Sequence, residues 1–98
     1  MEIAQKQHYE GDDWWAWSVW IEAPGDELDE IESVTWHLHP TFVPPEVVVD
    51  TRDSNFALDT AGWGTFRIRA TVRLKGGKAR KLAHELELTY PDGSPAQA

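Results

Sequence analysis

The sequence predicts an all-β protein, a sandwich of about seven to eight antiparallel strands. Three observations carry that prediction. Apolar and polar residues alternate with a period of two through most of the chain, which on a pleated strand sends one set inward and the other outward. Breaks rich in Pro and Gly separate these segments at regular intervals, as turns between short strands do. No segment carries the spacing of an amphipathic helix, so no helix is expected.

The elements follow in order. "EIAQKQHY" after Met1 reads as a first strand. In "WWAWSVWIE", residues 14–22, Trp15, Trp17, Val19 and Ile21 share one face, while Trp14, Ala16, Ser18, Trp20 and Glu22 share the other; the first set is the expected core face. "EAPGDE" is a turn by its Pro24 and Gly25. A second inward series runs Glu32, Val34, Trp36, Leu38, with Ser33, Thr35, His37 and His39 outward. Pro40, Pro44 and Pro45 cannot donate to a ladder, which predicts that this strand ends near His39. "EVVVD" and "NFALD" are expected as short strands joined by the polar "TRDS" turn. The longest alternation places Phe66, Ile68, Ala70, Val72 and Leu74 inward and Arg67, Arg69, Thr71 and Arg73 outward. After the "KGGK" turn, Leu82, His84, Leu86, Leu88 and Tyr90 form a last inward face.

Ninety-eight residues suit one hydrophobic core. The expected division is a sandwich domain over 1–90 and a linker-like tail over 91–98, where "PDGSPAQA" combines two prolines with small residues. With 41% apolar and 27% charged residues, the composition is that of a folded soluble domain. No cysteine is present, which excludes a disulfide frame and a zinc ribbon. No apolar run follows Met1, so no signal peptide is expected and the expected location is cytoplasmic. No stretch reaches the roughly 20 apolar residues of a membrane helix, so no direct membrane insertion by this segment is expected.

The net charge of −8 is unevenly spread. Residues 1–66 hold fourteen acids against Lys6 and Arg52, and residues 67–98 hold seven bases against three acids, giving −12 and +4. Such a surface repels a phosphate backbone and draws a basic peptide, so no nucleic acid partner is expected.

Catalytic chemistry finds little support. There is no cysteine, no serine in a glycine elbow, and no third glycine or Lys-Ser/Thr after "GWG" to cradle a nucleotide. The expectation is no enzyme, no catalytic residue and no cofactor. His37 and His39 form an H-x-H pair that a strand would point to one side, but two histidines without a third ligand do not make a metal site. His84, on an inward face, reads as a hydrogen-bonded core histidine.

Of six tryptophans, Trp15, Trp17 and Trp36 fit the core by parity, while Trp14 and Trp20 fit neither reading. Trp63 stands apart. Gly62 and Gly64 flank it, permitting an exposed turn and the close approach of a ligand to the backbone. Phe42 likewise follows the proline that ends its strand. Two such rings either plug an end of the sandwich or wall a slot.

"LHPTF" followed by "GWGTF" resembles the YEATS domain family, and the likeness extends over "WSVWIE" at 17–22, "LDEIESVTWHLHPTF" at 28–42, the proline step at Pro44 and Pro45, "GWGTF" at 62–66 and "LAHELELTY" at 82–90. The Trp-rich "GDDWWAWSVWIE" resembles the prokaryotic branch in particular. The resemblance implies an immunoglobulin-like sandwich. It implies a reader of acylated lysine, chiefly acetyl and crotonyl in eukaryotic members. By position, His39 and Thr41 would line the pocket, Phe42 and Trp63 would sandwich the flat acyl amide, the Trp63 backbone N–H would receive the acyl carbonyl, and Gly62 and Gly64 would shape the loop. Prokaryotic members resemble sensor modules joined to effector or membrane-channel parts. The expected partner is thus an acylated lysine-containing peptide or protein, or a flat small molecule, with no metal required. The rival expectation is a structural or self-association module that positions a fused effector and binds no acyl-lysine.

Overall fold

The computed structural model describes residues 1–96. Seven strands form: β1 (Glu2–Gly11), β2 (Trp14–Glu22), β3 (Ile31–His37), β4 (Glu46–Val49), β5 (Leu58–Gly62), β6 (Arg67–Leu74) and β7 (Ala79–Glu85). They pair antiparallel in two sheets, β1-β2-β5 and β4-β3-β6-β7. The sheets bury their facing sides against each other, as in an immunoglobulin-like sandwich. The expected alternation holds for Trp15, Trp17, Val19 and Ile21 on β2, Val34 and Trp36 on β3, and Ile68, Ala70 and Val72 on β6, all of them buried. Two of the core indoles also anchor backbone: Trp36 Nε1 donates to the Phe56 carbonyl at 2.9 Å and Trp15 Nε1 to the Thr89 carbonyl at 2.8 Å.

Four expectations change. The "EAPGDE" segment contains a single helical turn, α1 (Gly25–Leu28), which buries Leu28. At the start of β3 a register shift between Ile31 and Ser33 moves the inward parity, so Ile31 is buried and Glu32 exposed; the extra residue of a bulge reverses alternation locally. "NFALD" is not a strand throughout. Arg52–Ser54 make a 3-10 turn, and Asn55 and Phe56 take left-handed backbone at φ 55 and 60, which swings the Phe56 ring into the core and delays β5 to Leu58.

The fourth change concerns the end of the chain. The ladder of β7 stops at Glu85, earlier than the inward series that continues through Leu86 and Leu88. Glutamine side chains of β1 replace the missing strand partner. Gln5 donates to the Glu87 carbonyl at 2.7 Å and accepts from the Glu87 N–H at 2.8 Å, and Gln7 accepts from the Thr89 N–H at 2.8 Å. His84 completes this seam by its 2.7 Å contact with Gln5 Oε1, half-buried and partnered. Residues 91–96 then double back, with Tyr90 N–H donating to the Ser94 carbonyl and Ala96 N–H to the Leu88 carbonyl, both at 2.8 Å. Residues 97–98 of the expected tail lie outside the described residues.

Strand register fixes which loops meet. Trp15 pairs with Gly62 and His37 pairs with Arg69. The start of β2, the ends of β3 and β5, and the start of β6 therefore share one end of the sandwich.

Beside that end, the Tyr90 hydroxyl donates to Asp13 Oδ1 at 2.6 Å. This hydrogen bond, then burial, then the Asp13 charge raise the phenol above its ordinary value of 10.0. A raised folded value favours the protonated form, so the stabilisation is present below the unfolded value and is lost as pH rises through the folded one. Melting temperatures followed from neutral to alkaline pH should fall more steeply above about pH 10 for the native chain than for Tyr90→Phe. Parallel curves would refute the linkage.

Candidate functional site

The proline-rich segment 38–45 leaves the sheet earlier than expected, at His37. Consequently the two histidines of the H-x-H pair part. His37 stays on the sheet, with Nε2 2.8 Å from Thr71 Oγ1 and Nδ1 3.4 Å from Glu46 Oε1. His39 lies on the loop, with Nδ1 2.9 Å from Thr41 Oγ1.

His39, Thr41, Phe42, Gly62, Trp63 and Gly64 all line one open cavity of about 440 Å³ at the shared end of the sandwich. That size is within the ordinary range for small-molecule sites. Sequence reasoning missed Trp14, Val43 and Phe66, which line it as well. Phe66 had parity for the core and instead lies just before β6, half-buried. Trp14 reaches the site because its neighbour Trp15 pairs with Gly62 across the β2–β5 ladder, a long-range pairing that no local pattern reveals.

The two principal rings are held differently. Phe42 meets Trp17 edge-on with centroids 6.2 Å apart and lies 5.6 Å from Phe66, and Trp17 and Phe66 are 5.9 Å apart. This three-ring cluster fixes Phe42 to the core. Trp63 is 59% exposed and belongs to no aromatic pair among the described residues. Phe42 and Trp63 both line the cavity, and no ring–ring contact joins them among the described residues. Its floor includes Gly62, where an added methyl would lie 3.6 Å from Phe42 Cζ.

Polar groups at the site have defined roles. The Thr41 N–H donates to His39 Nδ1 at 3.2 Å, so that nitrogen presents its lone pair and the neutral ring carries its proton on Nε2. The Thr41 hydroxyl lies 2.9 Å from the same nitrogen, and in either tautomer its oxygen keeps a free lone pair to accept. The Trp63 N–H donates to no backbone carbonyl among the described residues. A donor and an acceptor thus stand in a cavity whose lining has no Asp, Glu, Lys or Arg.

A family model for the prokaryotic YEATS domain matches residues 15–87. The chain belongs to that family. Among solved structures, the crystal structure of the Yaf9 YEATS domain bound to H3K27ac matches this YEATS domain with a TM-score of 0.70 and 22% identity, over 90% of this chain and 68% of that one. The Yaf9 YEATS domain recognizing an H3K122suc peptide matches with a TM-score of 0.70 and 21% identity, over 96% and 72% of the two chains. A further structure of the Yaf9 domain gives 0.69 and 22%, over 92% and 71%. These likenesses establish the YEATS sandwich fold for the chain.

The different settings of the two rings predict different stability costs. Trp63→Ala should leave thermal stability within about 0.5 kcal/mol of the native chain. Phe42→Ala should cost about 1–3 kcal/mol, part of the loss seen for a fully buried phenylalanine. Denaturant melts would decide; equal losses for both variants would contradict the asymmetry of the walls.

Proposed function

We propose that this YEATS domain is a non-enzymatic recognition module that binds an acylated lysine side chain, or another flat acyl amide, between Phe42 and Trp63. The open cavity that Phe42 and Trp63 both line carries the reading. An acyl amide is planar and neutral; it can stack on both aromatic faces while its carbonyl accepts from the Trp63 N–H and its N–H donates to the Thr41 oxygen. Gly62 and Gly64 keep the loop narrow enough for the backbone donor to be reached. His39 acts as a positioning residue, since it orients the Thr41 hydroxyl.

Charge discrimination follows from the lining. Unmodified lysine would bring a hydrated ammonium into a slot with no carboxylate to receive it, with only cation–π attraction in partial compensation. Acylation removes that charge. Family membership and the acylated peptides bound by the Yaf9 domain support this reading. Among acyl groups, a flat unsaturated crotonyl should gain more than a saturated chain from two ring faces, by about 0.5–1.5 kcal/mol. In a cytoplasmic protein of modular build, the domain would serve as the sensor for a fused effector or membrane-channel part.

The test is a titration with a crotonyl-lysine peptide, followed by tryptophan emission and by calorimetry. The expected result is a change in emission, at least about tenfold weaker binding of the unmodified peptide, and about tenfold weaker binding by Trp63→Ala. Absence of a response from the native chain at millimolar peptide would remove the reading and favour the structural module.

A further inference from the structure

Among the described residues, one buried side-chain polar atom lacks a hydrogen-bond partner: Nε1 of Trp17. The other core indoles are satisfied, Trp15 by the Thr89 carbonyl and Trp36 by the Phe56 carbonyl. An indole N–H can only donate, and a buried donor left without an acceptor is destabilising. Such an atom in a native fold calls for a physical reason.

Its place supplies one. Trp17 is 2% exposed and packs beneath Phe42 and Phe66, two walls of the cavity. Gly62 has no side chain, and the position a methyl would take there lies 3.7 Å from Trp17 Nε1 and 3.6 Å from Phe42 Cζ. Gly62 lines the cavity, so the unpartnered donor lies about one methyl's width behind the cavity wall, covered there by no side chain of residue 62. The ring faces of Phe42 and Phe66 are weak acceptors at best.

We propose that the Trp17 Nε1–H, just behind Gly62 at the inner end of the slot, donates to an acyl group that enters the space over Gly62, and that it selects acyl groups with a neutral oxygen acceptor toward their far end, a hydroxyl or keto oxygen. A carboxylate is disfavoured because the lining offers no Lys or Arg to offset its desolvation. The inference rests on the slot binding acyl groups as proposed above. Gly62 then has a second role, leaving only a methyl-sized space between the cavity and the buried donor.

The test compares peptides with butyryl-lysine and 3-hydroxybutyryl-lysine, which differ by one hydroxyl. The native chain should bind the hydroxylated peptide about three- to tenfold tighter. In 1H–15N spectra the Trp17 indole signal, identified by its loss in Trp17→Phe, should move downfield with that peptide and not with butyryl. Trp17→Phe, checked for a cooperative melt, and Gly62→Ala, whose methyl fits at van der Waals contact and covers the donor, should each bring the affinity ratio close to one. Free 3-hydroxybutyramide and butyramide form a second arm without lysine. Equal affinity for the two peptides would overturn the donor role and leave the acyl-lysine reading standing. A Trp17 signal that follows the free hydroxyamide when neither peptide binds would keep the donor and overturn the acyl-lysine reading. Silence in both arms would overturn both, and an unchanged ratio in the two variants would overturn the donor role alone.

Discussion

The site end of the molecule depends on the Trp17 indole. It is buried between the sheets, and its ring centroid lies 6.2 Å from that of Phe42 and 5.9 Å from that of Phe66. Segment 38–45 cannot be held by a continued ladder, since Pro40, Pro44 and Pro45 lack the N–H that pairing requires. Two backbone bonds fasten it, Leu38 N–H to the Pro45 carbonyl and Phe42 N–H to the His39 carbonyl, at 2.7 and 2.9 Å. The aromatic contacts supply the rest, each pair being worth about 0.5–1.5 kcal/mol beyond its buried area. Phe42 is consequently a rigid wall. Trp63, between two glycines, is 59% exposed and has no ring partner among the described residues. On the proposed reading, a slot with one packed wall would order few side chains on binding.

Much of the fold was legible because the chain reports its two faces by parity. Trp15, Trp17, Val34, Trp36, Ile68 and Val72 were all assigned inward from alternation and are all buried. Parity fails where something other than a ladder satisfies the backbone. The bulge at Ile31 inserts a residue and reverses the count. Left-handed backbone at Asn55 and Phe56 buries a ring that a strand would have placed differently. At Glu87 and Thr89 the side-chain amides of Gln5 and Gln7 do the work of a neighbouring strand, and nothing in a period-two reading marks a glutamine for that role.

The site was legible in a different way. Gly62-Trp63-Gly64 and His39 through Phe42 announce themselves by breaking the pattern, a large ring where the backbone is most permissive and another just past a strand-ending proline. That both stretches line one cavity follows from the register of β3 with β6 and of β2 with β5, information carried only by the three-dimensional pairing. Trp14 and Phe66 escaped for the same reason. Each is locally an ordinary strand-end residue, and each becomes part of the site through a partner distant in sequence.

If the proposed recognition holds, two electrostatic scales would act on different steps of it. The excess of acids over residues 1–66 produces a field that reaches about a Debye length, near 8 Å at physiological ionic strength. Its effect on a basic peptide is to raise the encounter rate, and it fades with salt. The cavity lining, by contrast, carries no acid or base other than His39, so what enters it is sorted by desolvation and by short hydrogen bonds that salt screens weakly. An acidic lining would have merged the two scales, because the groups that attract a basic peptide would also have welcomed an unmodified ammonium. On the proposed reading, keeping the carboxylates outside separates attraction from selection: the surface would favour positively charged chains in general while the slot would reject the charged side chain itself.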